Sequence, residues 1–240
     1  DAVETLGAVR YFCLDKTGTI TRNRMAVRAI AVAGHPLEVA DDAIADVPEQ
    51  AEAALERLLE VAVLNSEVEL GEDGALLGSP TETALVRLAR ARGVDPAARR
   101  DRRPRRETQA RSEARPYMAT LHAAPDGEGE AHPLLAVKGR PRTLLDMCDR
   151  VLEGGSVRAL TESDREAIIA ANDRMTGRAL RVLGFAYRES GDVTAASDHA
   201  HGLIWLGLAG IADPVRPGIA EVIESFHRAG IDPVMLTGDQ

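Results

Sequence analysis

The sequence predicts an α/β chain in which a doubly wound domain is interrupted by a large inserted α+β domain. Two observations lead there. Both ends of the 240 residues carry a short apolar run followed by a loop with acidic and hydroxyl side chains, and a helical pattern precedes the second run. Between them, roughly over residues 26–205, short strand-like runs and helix-period segments read as a separate α+β structure. The composition, 45% hydrophobic and 28% charged, is that of an ordinary globular protein, and the length suffices for a sizeable core.

Taken in order, residues 9–14 read as a buried strand, and the loop after it runs to Asn23. Residues 25–33 alternate loosely and predict a strand. His35-Pro36 falls where a turn is expected, and residues 41–50 are acidic with little pattern. The next segment, 51–65, sets Ala54, Leu55, Leu58, Leu59 and Ala62 at helical spacing. A turn over 78–83 leads into a second helix over 81–92, with Thr81 as its cap or first-turn residue and Glu82 near its positive end. From 99 to 115 arginines crowd together with few apolar neighbours, which predicts a solvated, flexible loop. An electrostatic patch for an acidic partner is the alternative there, and no interleaved aromatic residue offers a base a stacking surface. Strands are expected over 118–122 and 134–137, and a short helix over 143–150. Thr161 caps a clearer helix reaching Gly177, with Asp164 completing a variant capping box. Strands over 179–188 and 203–211, a helix over 217–229 and a strand over 233–236 lead to the closing Thr237-Gly238-Asp239-Gln240.

Several classes are disfavoured at once. A net charge of −9 argues against general nucleic-acid binding. The longest uncharged apolar run, 202–212, is about half of the ~20 residues that span a bilayer. No signal-peptide pattern is expected. Cys13 and Cys148 have neither metal-site spacing nor a disulfide framework, the pattern of reduced thiols.

The residues with chemical potential are few. Asp15 stands where a parallel strand ends, the place at which open α/β sheets bind ligands. Its carboxylate can attack phosphorus to give an aspartyl phosphate, or it can simply cap a turn. Lys16 and nearby N–H groups can neutralise charge on a transferred group, and Gly18 permits the turn. Of the 29 Lys and Arg residues only Lys16 and Lys138 are lysines. Lys138 follows an apolar run and precedes Gly139, so it reads either as a phosphate or base contact or as a surface lysine.

The string Asp15-Lys16-Thr17-Gly18-Thr19 resembles the phosphorylation signature of P-type ATPases, ion pumps whose catalytic domain is haloacid-dehalogenase-like. Gly78-Ser79-Pro80-Thr81-Glu82 is similar to that family's Gly-Asp-Pro-Thr-Glu stretch. Lys138-Gly139 with Pro141 resembles its Lys-Gly-Ala-Pro motif, and Asp213-Pro214-Val215-Arg216 resembles its Asp-Pro-Pro-Arg hinge. Thr237-Gly238-Asp239 matches its Thr-Gly-Asp motif, and Arg181 its phosphate-contacting arginine. The resemblance implies an incomplete, Rossmann-like phosphorylation domain from residues 1–25 and 206–240. Residues 26–205 would form a nucleotide-binding domain built as an antiparallel sheet flanked by helices.

It further implies that Asp15 accepts the γ-phosphate of ATP, with Mg²⁺ bound at Asp15 and Thr17. Lys16, Thr237, Gly238 and Asp239 would serve the transferred group. Glu82, Lys138, Gly139, Arg181, Asp213 and Arg216 would serve ATP and the closing hinge. The implied partners are ATP and the transmembrane and actuator domains of a longer chain at the cytoplasmic face of a membrane, with the cation bound elsewhere and no nucleic acid. The insert resembles the type II pumps that move calcium and related light cations. The family's later Lys and its Gly-Asp-Gly-x-Asn-Asp loop would lie beyond Gln240, so these residues alone are expected to turn over little ATP.

Three positions depart from the pattern. Arg111 stands where the family stacks adenine on Phe, a loss of about 1–3 kcal/mol on the per-base scale, and Arg140 and Arg142 replace small and acidic residues. Two other classes remain open. A free-standing haloacid-dehalogenase-like phosphatase would carry Asp where Thr17 stands. A non-catalytic nucleotide-binding or regulatory module would fit the three arginines.

Overall fold

The computed structural model describes residues 9–125, 131–196 and 202–236. The chain divides into two compact units, one made of Asp1–Met25 with Asp213–Gln240 and the other of Ala26–Ala212. The smaller unit opens with β1 (Tyr11–Asp15).

The larger unit begins with β2 (Ala26–Val32), β3 (His35–Ala40) and the short β4 (Ala43–Ile44). Helix α1 (Glu49–Leu64) follows, then a small hairpin of β5 (Glu69–Leu70) and β6 (Leu76–Leu77). Next come α2 (Pro80–Ala91), α3 (Pro96–Arg102), β7 (Arg105–Gln109), β8 (Tyr117–His122) and β9 (Leu134–Gly139). The unit closes with α4 (Pro141–Asp146), β10 (Cys148–Glu153), β11 (Ser156–Ala159), α5 (Glu162–Gly177), β12 (Arg181–Glu189) and β13 (Leu203–Ala212). The chain then returns to the smaller unit with α6 (Ile219–Arg228) and β14 (Asp232–Leu236).

Among the described residues the main sheet has ten strands, running β4-β3-β2-β13-β12-β9-β8-β7, with β10 joined to β11 and to the start of β13. Every pairing in it is antiparallel except that of β10 with β13. The second junction between units therefore falls after Ala212 and not at 205/206, because β13 is a central strand bonded to β12 and β2. Alternation along β9 separates the two faces. Leu135 and Val137 join a core with Leu144 and Leu145 of α4 and Ile168 and Met175 of α5, whereas Lys138 reaches Glu82 of α2.

Local chemistry explains the element ends. Ser79, not Thr81, caps α2: its hydroxyl accepts from Glu82 N (3.3 Å), and Pro80 fits the first turn. Asp95 caps α3 through Ala97 N and Ala98 N. The expected Thr161–Asp164 capping box is present on α5. The turn near His35-Pro36 is made instead by Ala33 and Gly34, with φ of +48° and +76°. His35 already pairs with Val32 in β3, and Pro36 lies outside the β3–β4 pairing, where its missing N–H costs nothing. The helix expected over 143–150 ends at Asp146, and Cys148–Glu153 is strand.

The largest correction concerns 99–115. Instead of a flexible loop, this stretch contains the end of α3 and all of β7, which pairs with β8. The arginines order it because their guanidinium groups find backbone carbonyls, as described below.

In the smaller unit β1 and β14 pair in parallel, from Tyr11 opposite Asp232 to Asp15 opposite Leu236. Phe12 stacks on Phe226 of α6 with ring centroids 5.1 Å apart. Strand β1 is not buried as expected: Tyr11 is 67% exposed, since among the described residues of this unit two strands and one helix do not cover both faces of the sheet.

Candidate functional site

Within the smaller unit, Asp15 is exposed at the end of β1. The following turn, Lys16–Ile20, has Thr17 extended and Gly18 at φ +83°, a conformation any side chain would strain. Thr21, only 5% exposed, ties the loop down. Its hydroxyl donates to Asp213 Oδ2 at 2.6 Å and accepts from Gly18 N at 3.3 Å. Arg24 N donates to Asp213 Oδ1 (3.1 Å). Arg216 donates through Nη2 to Gly18 O (2.8 Å) and through Nε to Thr21 O (3.0 Å). Thus Asp213 and Arg216, expected at a hinge, spend these bonds on the loop after Asp15. The sequence marks Thr21 only as a hydroxyl side chain in the loop after Asp15. Thr237, Gly238 and Asp239 lie outside the described residues and follow directly on Leu236, the register partner of Asp15.

In the larger unit the two motif stretches meet. Lys138, on β9, is 7% exposed, and its ammonium donates to Glu82 Oε1 and to the carbonyl of Asn65. The other Glu82 oxygen accepts from Glu67 N at 3.1 Å. Burial pushes the Lys138 ammonium below the usual lysine range, and the Glu82 carboxylate acts against that shift. Arg181, at the start of β12, donates to Thr81 Oγ1 (3.2 Å), the neighbour of Glu82. Arg142 pairs with Asp173 of α5 at 3.3 Å. Gly139 stands opposite Tyr117 and Gly184, where neighbouring backbone leaves no room for a Cβ. Two hollows of this unit, of about 670 Å³ beside Arg87 and about 200 Å³ beside Trp205, are lined by none of these residues.

Around Lys138 the C-terminal end of α1 is enclosed by basic side chains. The last turn of α1 carries no basic residue of its own, yet its terminal carbonyls need donors and its dipole favours cations. Arg100 donates to Val63 O (3.3 Å) and Val68 O (2.7 Å). Arg105 donates to Leu64 O (2.7 Å) and to Ser66 O, and Lys138 takes Asn65 O between them. The fully buried Asn65 amide binds Ala136 O (2.7 Å) on β9 and Met118 O (3.2 Å) and Thr120 Oγ1 (3.1 Å) on β8, fixing the helix end to both strands. Asn65, Arg100 and Arg105 escaped the sequence analysis. An Asn closing an apolar helix was the available signal for the first, and nothing local marked the others.

His122 completes this polar layer. Its Nδ1 lies 3.1 Å from Arg103 O and its Nε2 2.9 Å from Thr120 Oγ1, so the ring serves best as a neutral Nδ1–H tautomer. Burial lowers its pKa to about 4, against the Arg103 carbonyl bond, and Arg105, Arg103 and Arg100 lower it further. The unfolded chain therefore binds more protons between about pH 4 and 6.5, and stability falls as pH falls through that window. The full effect is about 3 kcal/mol. Urea unfolding of the wild type should show this loss, and His122→Asn should flatten it; an equal slope in the variant would remove His122 as the cause.

An antiparallel sheet between helices, gathering a lysine and a glutamate from distant stretches and lying between two stretches of a second unit, is an inserted α/β domain. Residues 54–218 match the family described as P-type ATPase, cytoplasmic domain N, and the chain belongs to that family. It is 34% identical to a cation-transporting ATPase, pma1, of Synechocystis, over 99% of this chain and 28% of that protein. It is 32% identical to calcium-transporting ATPase 1 of Lactococcus lactis, over 99% and 26%. A probable cation-transporting ATPase F of Mycobacterium tuberculosis is 34% identical over 99% and 27%. The chain thus spans about a quarter of the length of these relatives.

Proposed function

We propose that this chain is the ATP-binding and phosphorylation segment of a cation-transporting P-type ATPase of the type II kind. The observation that carries the reading is the contact of Lys138 with Glu82, which joins the two motif stretches across 56 residues. The family match and the relatives' names support it. Lys138, Gly139, Glu82 and Arg181 hold ATP, and binding exchanges part of the Lys138–Glu82 contact for contact with the ligand. Asp213 and Arg216 keep the loop after Asp15 in shape.

Residues 1–25 and the segment after Ala212 form part of a Rossmann-like phosphorylation domain, a reading supported by the parallel pairing of β1 with β14. The Asp15 carboxylate attacks the γ-phosphorus of ATP. The bond to the β,γ-bridging oxygen breaks, ADP leaves with that electron pair, and water later cleaves the aspartyl phosphate. Lys16, Thr237, Gly238 and Asp239 neutralise and bind the transferred group. The residues present fit Mg²⁺ as an ion held mainly by phosphate and water. Asp15 offers one exposed carboxylate and Thr17 a backbone carbonyl, and among the described residues no three acidic, His or Cys side chains gather to hold a metal. When bound, Mg²⁺ neutralises charge on the phosphoryl oxygens.

Among the described residues no helix is long and apolar enough to cross a membrane. The membrane helices that bind the cation, and the actuator domain, belong to the remainder of such a protein, with this segment at the cytoplasmic face.

Calorimetric titration with ATP tests the reading. Binding is expected to be weak, with a Kd of about 1 mM or above, because exposed Arg111 stands at the stacking position. Arg111→Phe should tighten it about tenfold, and Lys138→Met should weaken it. Unchanged affinity in Lys138→Met would sink the assignment.

A further inference from the structure

Arg100 and Arg105 of the arginine-rich stretch have no part in the proposed function, yet their guanidinium groups flank the carbonyl that Lys138 takes. Arg100 and Arg105 occupy the carbonyls of Val63, Leu64, Ser66 and Val68, on either side of the one that Lys138 takes. We propose that Arg105, seconded by Arg100, is a positioning residue for nucleotide binding: by taking the carbonyls that flank Asn65, it confines the Lys138 ammonium to Asn65 O and Glu82. The proposal rests on the reading that Lys138 serves ATP.

The physical reason lies in donor geometry. A lysine ammonium is a point charge on a flexible stem, with no preferred direction among neighbouring carbonyls. The last turn of α1 and the segment after it present several such acceptors in succession, with the carbonyls of Val63, Leu64 and the capping Asn65 at the negative end of the helix dipole. A guanidinium holds its N–H groups in a fixed plane and can bridge two such carbonyls: Arg105 does so with the single Nη2 amino group across Leu64 O and Ser66 O, and Arg100 with Nη2 on Val63 O and Nη1 on Val68 O. With those acceptors filled, the ammonium has one carbonyl and one carboxylate left. The charged groups that bear on Lys138 come from three elements: Glu82 on α2, Glu67 in the segment after α1, and Arg105 on β7. Burial and the like charge of Arg105 lower the Lys138 pKa, and the two carboxylates oppose them. Arg105 itself is an exposed residue of an edge strand, so replacing it removes its two donated bonds without opening the core.

The chain's two lysines make the test direct. Labelling lysine with ¹³C at the ε position gives two signals, Lys138 and, in the other unit, Lys16 as an internal reference. In Arg105→Gln, the Lys138 signal should move and titrate at higher pH than in the wild type while that of Lys16 stays in place. ATP should bind about tenfold more weakly or worse. Arg100→Gln should give the same pattern to a smaller degree. Arg105→Lys keeps the charge but is shorter and lacks the planar, fixed-direction amino group that bridges Leu64 O and Ser66 O, so it should restore the titration in part and leave the signal displaced. If Arg105→Gln does not fold, Arg105→Lys carries the test. A Lys138 signal and an ATP affinity at wild-type values in the folded variant would overturn the proposal. Failure of the wild type to bind ATP would overturn the nucleotide reading instead, and the Lys138 signal would still report whether Arg105 places the ammonium.

Discussion

Glu82→Gln should lower the thermal midpoint of the larger unit by about 6–12 °C, corresponding to a loss of about 3 kcal/mol at the scale expected for a domain of this size. Lys138 is 7% exposed, and its two acceptors are Glu82 and one backbone carbonyl. Replacing the carboxylate by an amide of the same shape leaves an ammonium in a low-dielectric site with no hydrogen-bonded carboxylate and only the weaker pull of the Glu67 charge. That is the costly way to break a buried ion pair. The opposite change, Lys138→Met, should cost less, because Glu82 keeps its bond from Glu67 N and lies closer to solvent. The double variant should recover much of the Glu82→Gln loss, giving a coupling energy of about 2 kcal/mol in a double-mutant cycle. The pH dependence has a definite sign. Without Glu82 the Lys138 pKa falls further, so over part of the alkaline range the unfolded chain binds the extra proton and stability rises with pH. The deficit should therefore be larger at pH 6 than at pH 9. A Glu82→Gln midpoint within 2 °C of the wild type at pH 6 would show that the ammonium is not buried as described.

What could be read from the sequence followed the range of the interactions involved. The strand before Asp15, the amphipathic pattern of α1 and the Thr161 capping box are set by neighbours within a few residues, and each formed. The Gly-Ser-Pro-Thr-Glu and Lys-Gly-Arg-Pro stretches were legible as motifs, but not the fact that Glu82 grips Lys138, because 56 residues separate them. The segment at 99–115 was misread for the same reason. Arginine runs are usually solvated, and what orders this one is a row of carbonyls at the end of a helix that the chain made some 30–40 residues earlier. Nothing local distinguishes Arg100 or Arg105 from Arg102. Helix α4 shows the limit in another way. Residues 143–150 have helical composition, yet the chain leaves the helix at Asp146 because Cys148–Glu153 pairs with both β11 and β13. Pairing across the sheet overrides a weak local preference.

Gly139→Ala should cost about 3 kcal/mol, although it adds a single methyl group to the chain. Gly139 is not at positive φ, so its backbone conformation does not demand glycine. The demand comes from the next strand. A Cβ there would lie 2.4 Å from Tyr117 Cβ, 2.5 Å from Tyr117 Cα and 2.6 Å from Pro116 O. Two of these are backbone atoms, and the third is fixed to the backbone, so no rotamer change relieves the clash. Strand β9 would have to part from β8 at the pair Tyr117–Gly139, beside the bond from Arg140 N to Pro116 O (2.9 Å). Lys138 is the adjacent residue, so the same movement draws its ammonium away from Glu82 and Asn65 O. The variant should lose stability and displace the Lys138 signal together. Gly177→Ala is the matched control. It lies at the end of α5, where an added Cβ would meet no atom within 4 Å and φ is not positive, so the change should be neutral or stabilise by up to about 1 kcal/mol. Urea unfolding of the two variants separates the explanations. If both glycines tolerate alanine equally, the close approach of β8 to β9 is not what holds glycine beside the motif lysine.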